Sequence, residues 1–413
     1  MTSRSQTVIT YLRTPHAVRE RCYQLFNLAC ENRLQHFRCD LSRLGAVADY
    51  VIEVTRRQYP SLQIPWHSRW RHFEAGGIPR LQHLNQGLVE LSSLEQTRAR
   101  LDLVVVSVLL DAGSGGDWCY RETATNQVYR RSEGLAVASL EMFMRGMFSS
   151  DPDQPLRVDA PALQSLRLEH LIQGFQVSLS NPLVGLEGRL QLLQRLGEAL
   201  SRAPQWFGSE PPRPGYLADY FLDFTPSLSA STFLGVILES MGSIWPGRIA
   251  IENVNLGDVW PHPALFKENL YDQVGIELVP FHKLSQWLVY SMLEPLEALP
   301  LQITDLDSLT GLAEYRNGGL CLDLGLLQVK DTSLLTQSFP PGHEVVVEWR
   351  ALTLCLLDLI AEEMRRKLRL SASELPLGKV LQGGTWTAGR QIAAELRPDA
   401  APPIRVESDG TVF

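Results

Sequence analysis

Residues 16–34, HAVRERCYQLFNLACENRL, place Val18, Cys22, Leu25, Phe26 and Ala29 on one face of a helix. Residues 41–58, LSRLGAVADYVIEVTRRQ, repeat the period with Leu41, Leu44, Val47, Ala48, Val51 and Val54. The same spacing marks helices over 95–111, 132–148, 161–175, 185–202, 231–241, 281–298, 308–316, 344–369 and 386–396. Between them stand breakers such as Ile64-Pro65, Gly76-Gly77, Asp151-Pro152, Asn181-Pro182, Pro211-Pro212 and Pro340-Pro341. Strand signals are short. Trp118 to Glu122 and Gln127 to Arg131 flank Thr123-Ala124-Thr125-Asn126 as a hairpin, and Arg248 to Ile251 opens a second. The tail from Ile404 to Phe413 adds one short strand. Strands and helices do not alternate at βαβ spacing, which argues against a doubly wound sheet, and no internal repeat is visible. The expected fold is mainly α: a single large helical domain over 1–413 with small β-hairpin appendages. Residues 203–230, rich in Pro, Gly and Ser, read as a surface linker between a helical part (1–202) and a part carrying the site (231–413).

The 413 residues are 45% apolar and 20% charged, enough for a sizeable core and no case for disorder. Lys and Arg number 38 against 46 Asp and Glu, a net charge of −8. A nucleic-acid binder needs the opposite excess to neutralise phosphates, and an anionic membrane surface would repel this chain. No window reaches the roughly 18 apolar residues of a spanning helix, and the N-terminus turns charged too soon for a secretory segment. A soluble cytoplasmic protein is the expectation. The six cysteines, at 22, 30, 39, 119, 321 and 355, form no CxxC and read as reduced, mostly buried thiols.

Several motifs carry chemistry on their face. Leu101 to Asp111, followed by Ala112-Gly113-Ser114-Gly115-Gly116, suggests a phosphate-cradling glycine turn, but the fingerprint lacks its third glycine and its Gly-Lys-Ser/Thr. A buried helix with a glycine-rich stop is the better reading. Trp66 to Glu74 (WHSRWRHFE) packs Arg69 and Arg71 among three aromatic rings, a set that suits a phosphate and a stacked base or sugar, or equally a packed helix start. On 281–298, Leu284, Trp287, Leu288 and Met292 form an apolar stripe, while Lys283, Gln286, Tyr290 and Glu294 form a polar line too thinly charged for an ordinary solvated face. Such a line suits a cavity wall.

Asp307 or Ser308 is positioned to N-cap a short helix over 308–316 that Asn317-Gly318-Gly319 would end. Glu314 and Arg316 close that nearly apolar segment. A buried Glu there would have its pKa pushed upward, fitting it for acid–base work, with an internal Glu–Arg ion pair as the alternative. Glu348 and Arg350 are embedded the same way in VVVEWRALTL and need partners, either each other or a site.

The strings WHSRWRHFEAGG, VSVLLDAGSGGDW, PFHKLSQWLVYSMLEPLE, ITDLDSLTGLAEYRNGGL, VVEWRALT, LQGGTWTAGR and SDGTVF resemble, nearly end to end, a bacterial and fungal uncharacterised-domain family assigned to the uracil catabolism pathway, the family of the fourth named protein of the fungal route. The order FHKLSQWLVYSMLEPLE, DLDSLTGLAEYRNGG and EWRALT is also similar to the queuosine-salvage family. Its members are N-glycosidases of a modified-nucleoside 5′-phosphate on a helical fold related to DNA glycosylases. Lys283, Gln286, Tyr315, Arg316 and Arg350 match that pattern. Glu314 stands where that family has Asp, Asn317-Gly318-Gly319 replaces its Val-Pro-Gln, and His282 replaces a Tyr.

This resemblance implies hydrolysis of a C1′–N bond in a pyrimidine-derived ribosyl ureide, ribosylurea or its 5′-phosphate, releasing urea. Departure of the nitrogen leaves an oxocarbenium-like sugar, which a carboxylate stabilises or relieves by orienting water. Glu314 is the candidate, with Asp305 or Asp307 in support, and His262 or His282 would protonate the leaving nitrogen. Lys283, Arg316, Arg350 and Arg69 would hold phosphate or order carboxylates, with Gln286 and Glu348 beside them, while Trp287 and Tyr315 shield the cation. The reaction needs no metal or redox cofactor. Asp305, Asp307, His262 and His282 have no recognised metal-ligand spacing. The expected partner is a small (phospho)ribosyl substrate, with no nucleic acid and no membrane, and a homo-oligomer left open. Two alternatives stand: a phosphoribosyl-handling transferase, whose phosphate loop is not evident, and a non-catalytic partner that channels an intermediate.

Overall fold

The computed structural model describes residues 2–268, 274–407 and 410–411. The fold is mainly α, and among the described residues the strands occur only as two-stranded pairs. No described helix is long and apolar enough to cross a membrane. The contacts divide the chain into two compact units, each assembled from separate stretches of sequence.

The first unit gathers Met1–His67, Gly247–Gln286 and Asp305–Glu407. Its centre is the helix Glu344–Leu368, which packs against Pro15–Cys30 and Leu44–Gln58. The helix Tyr315–Asp323 lies on that long helix and on Trp386–Leu396. The amphipathic face read in 16–34 is the packed one: Val18, Cys22, Leu25, Phe26 and Ala29 are all buried. Thr14 caps the helix start by accepting the Ala17 amide, and Pro15 occupies the first turn, where its missing N–H costs nothing. Three antiparallel pairs belong to this unit: Phe37–Cys39 with Leu327–Val329, Ala250–Ile251 with Val254–Asn255, and Val259–Pro261 with Leu278–Pro280. The expected tail strand is Arg405–Val406, parallel to Ser338–Phe339; Ser408, Asp409, Val412 and Phe413 of the quoted closing string lie outside the described residues.

The second unit gathers Ser68–Pro246, Trp287–Thr304 and Ser408–Phe413. Its core helix Ser93–Leu109 is buried on all sides from Leu101 to Leu110, which settles that run as a core helix followed by a glycine-rich stop. The hairpin Tyr120–Arg121 with Val128–Tyr129 forms where the sequence placed it. Two expectations change here. The periodic stretch 161–175 breaks into Ala160–Ser165 and Leu168–Gly174. Residues 203–230, expected as a linker, carry the short helices Pro204–Phe207 and Leu217–Leu222 instead. Arg213, 3% exposed, ties this stretch down by donating to Asp102 at 3.0 and 2.7 Å. Proline and glycine shortened the helices; they did not free the chain.

Candidate active site

The segment that carries Glu314 folds differently from its sequence reading. Leu306–Ser308 is a single 3-10 turn, 309–314 is not helical, and the helix runs over Tyr315–Asp323. Asn317-Gly318-Gly319, expected as a stop, lies inside that helix. Gly318 is there for contact: a Cβ on it would stand 2.6 Å from the Trp349 ring, and Trp349 Nε1 donates to the Gly318 carbonyl at 3.2 Å.

Shifting the helix turns Glu314 from a terminal residue into an N-cap. Its carboxylate accepts the amides of Asn317 at 2.6 Å and Arg316 at 2.8 Å. An N-cap carboxylate ordinarily titrates low, helped by the helix dipole. Glu314 does the reverse. Burial pushes its pKa up to about 8, against the opposing pull of the Asn317 amide and the Lys283 ammonium. Its residue exposure is 9%, the same as that of Lys283.

Lys283 opens the helix Lys283–Leu296, and two anchors fix that start. Asp258 accepts the Lys283 amide at 3.0 Å, together with the Trp260 indole at 2.8 Å and both Arg350 guanidinium arms at 2.8 and 2.7 Å. The Arg350 guanidinium also covers the Phe281 ring at 4.0 Å. These interactions outweigh the desolvation of Asp258 and hold its carboxyl well below the usual range. The second anchor is His282, held at φ +48° and bonded through Nε2 to the Leu12 carbonyl at 2.8 Å; burial lowers its pKa. One turn on, Gln286 joins this helix to the strip before Glu314. Its amide donates to Thr310 Oγ1 at 2.7 Å and to the Phe281 carbonyl at 3.0 Å, and its oxygen accepts the Thr310 amide at 2.8 Å. Of the polar line of 281–298, Lys283, Gln286 and Tyr290 are buried, while Glu294 is half-buried and pairs with Arg71.

Arg316 does not pair with Glu314 side chain to side chain. It donates to the Ala400 carbonyl at 2.8 Å and lies over the Tyr315 ring at 5.0 Å. Its backbone, not its charge, serves Glu314. Asn317 donates its side-chain amide to the Leu312 carbonyl at 3.0 Å, while its buried Oδ1 accepts no hydrogen bond. A buried carbonyl-type oxygen without a donor thus stands one turn from a high-pKa carboxyl.

Residues 11–413 match the family described as "Protein of unknown function (DUF1688)". The chain belongs to that family. It is 39% identical over 437 residues to "Uracil catabolism protein 4" of Lachancea kluyveri, covering 98% of this chain and 99% of that protein. It is 40% identical over 404 residues to "Protein urg3" of Schizosaccharomyces pombe, covering 96% of each.

The remaining candidates lie elsewhere. Asp305 and Asp307 are exposed; Asp307 accepts the Leu377 amide at 3.2 Å and faces Arg365 at 3.6 Å. His262 and Glu348 are buried together, His262 Nε2 lying 3.6 Å from Glu348 Oε2. Arg69 and Trp287 belong to the second unit. There the guanidinium of Arg69, fully buried, sits over the Trp287 ring at 5.5 Å, donates to Ser107 and the Ser132 carbonyl, and pairs with Asp111 at 3.0 Å. The structure thus brings together Glu314, Lys283, Gln286, Arg316 and Tyr315, with Arg350 and His282 behind Lys283. Sequence reasoning missed Asp258. Only its place in a turn before Val259-Trp260 marked it, and nothing in one sequence links it to Arg350, 92 residues on.

Proposed function

We propose that this chain acts in uracil catabolism as an N-glycosidase that hydrolyses a ribosyl ureide, ribosylurea or its 5′-phosphate, to urea and the free sugar. The pathway rests on the likeness to a protein named for uracil catabolism. Opening a uracil ring still attached to ribose leaves a ureide on C1′, and an N-glycosidase is the natural enzyme for its release. The observation that carries the chemistry is Glu314, a buried carboxyl with a pKa of about 8 beside Lys283.

At neutral pH Glu314 starts largely protonated, which makes it the acid. It gives its proton to the ureide nitrogen as the C1′–N bond breaks, because an unprotonated urea is too poor a leaving group. The resulting carboxylate is stabilised by the two backbone amides and the Lys283 ammonium. It then faces an electron-poor anomeric carbon and takes a proton from the water that adds there. The C1′–O bond forms, and Glu314 regains the proton it gave. His262 and His282 are not needed as acids in this scheme: Leu12 engages the His282 ring, and His262 lies beside Glu348 instead of Glu314. Arg350 orders Asp258 and, through it, the Lys283 helix start; Arg316 sets the amide that Glu314 accepts. Tyr315 shields the cation.

Incubation with ribosylurea and with its 5′-phosphate, following urea and reducing sugar, tests the reaction. Glu314→Gln keeps an amide acceptor but has no proton to cycle, so turnover is expected to fall at least about 10³-fold, within the range of acid–base catalysis. Activity of the wild type should decline as pH rises through about 8. Full turnover by a folded Glu314→Gln variant removes Glu314 from the mechanism; no urea from either substrate sinks the reaction.

A further inference from the structure

Two residues apart on one helix, Glu348 and Arg350 point to different neighbours, and the Glu348 side holds a second group of ionisable residues that shares none with the Glu314 group. We propose that His36, Glu344 and Glu348 form a binding site for one borderline first-row divalent cation of the Zn²⁺ class. One ligand-type atom from each of these three residues lies within 4.8 Å of the others. Glu344 and Glu348 stand one helical turn apart and so share a face. His36 Nε2 approaches Glu344 Oε1 at 3.8 Å.

Glu348 shows why this is more than an acidic surface. It is 0% exposed, and among the described residues no Arg or Lys bonds to it. Its Oε1 accepts the amides of His36 at 3.1 Å and Phe37 at 2.8 Å, which fixes the strand start that carries His36. Its Oε2 is buried with no hydrogen bond, and so is His262 Nε2, 3.6 Å away. A fully buried carboxylate oxygen left in that state costs free energy unless a cation completes it. Bonds of roughly 2.0–2.2 Å in a tetrahedral site place neighbouring ligand atoms roughly 3.3–3.6 Å apart, so small side-chain movements close the cluster onto an ion.

His262 is an outer partner in this arrangement. Its Nδ1 accepts the Ala264 amide at 3.3 Å, which leaves the proton of the neutral ring on Nε2, facing Glu348. Two carboxylates balance the double charge of the ion, and the imidazole favours a borderline metal over Ca²⁺ or Mg²⁺, which prefer all-oxygen sites. The half-buried His36 and Glu344 give the ion a route in.

Zn²⁺ titration of the chelator-treated full chain by calorimetry, with Co²⁺ absorption as the spectroscopic readout, tests the site. One equivalent is expected to bind the wild type. His36→Ala and Glu344→Gln, at partly exposed positions, should weaken it by more than about 100-fold and abolish the Co²⁺ spectrum. His262→Gln should weaken it roughly 10–100-fold, the usual effect of an outer-shell partner. His16→Gln, at an exposed histidine beside Glu20 and Tyr11, should change nothing. A wild type that takes up no Zn²⁺, or undiminished binding in folded His36→Ala and Glu344→Gln, overturns the proposal.

Discussion

Glu314 and Asp258 are two carboxyls of the same unit, one in the field of the Lys283 ammonium and the other bonded to the Lys283 amide, yet their charges have opposite fates. Asp258 meets a bidentate guanidinium, an indole N–H and a backbone amide, and its pKa falls well below the usual range. Glu314 meets two backbone amides and the field of one ammonium, and its pKa rises to about 8. The difference lies in how many donors answer the charge, not in depth alone. Where donors are plentiful, the carboxylate is a strut. Where they are rationed, the proton becomes available near neutral pH, and the group can do chemistry.

The pair should pull stability in opposite directions with pH. A depressed folded pKa contributes stability above the unfolded carboxyl range that is lost as pH falls. Asp258→Asn is therefore expected to cost about 3–5 kcal/mol at pH 7, because Arg350, only 1% exposed, is left uncompensated. Its deficit against the wild type should shrink below about pH 4, in chemical denaturation across pH. A raised folded pKa works the other way: the folded chain holds the proton longer, so stability declines as pH climbs from the unfolded value of 4.5 to about 8. Glu314→Gln removes that decline. Losing one of the two acceptor oxygens lowers stability by about 1 kcal/mol at every pH, but the variant should gain on the wild type by about 4 kcal/mol between pH 5 and pH 9. Parallel pH profiles would mean that Glu314 is not held protonated, and the contrast with Asp258 collapses.

Much of this region was legible in the sequence, in a particular way. Composition and period gave the mainly helical class, because burying one face is a local property of the chain. Glu314, Arg316, Glu348 and Arg350 stood out because a charge in an apolar run must have a partner. Their partners were not legible. Arg316 goes to Ala400 and Arg350 to Asp258, while Glu348 takes the amides of His36 and Phe37, all of them distant in the chain. The expected helix over 308–316 failed for a related reason. Asn317-Gly318-Gly319 has the composition of a helix stop, but the glycine serves a contact with Trp349, and no local rule separates the two uses.

Gly318 gives the next, smaller effect. Gly318→Ala improves helix propensity by about 1 kcal/mol, yet its Cβ would lie 2.6 and 2.8 Å from two ring carbons of Trp349, a buried side chain with little freedom to yield. The net expectation is a loss of about 1–2 kcal/mol, read from the denaturation midpoint. Because the helix start at Tyr315 supplies the amides for Glu314, turnover should fall with it. A stabilised Gly318→Ala variant would show that the approach of Trp349 does not require the glycine.

Asp307 supplies the smallest effect and the sharpest edge to the contrast. As a support for Glu314 it would have to share its burial, but the Asp307 side chain is 41% exposed, its Oδ1 accepts the Leu377 amide, and its Oδ2 faces Arg365. Asparagine keeps the acceptor and loses only a solvent-screened ion pair, so Asp307→Asn should shift stability by less than about 0.5 kcal/mol. Its pH–activity profile should overlay that of the wild type, with the decline still near pH 8 set by Glu314 alone. A profile displaced toward higher or lower pH would reveal that the Asp307 charge reaches Glu314, in which case the proton on Glu314 is governed by a neighbouring anion as well as by burial.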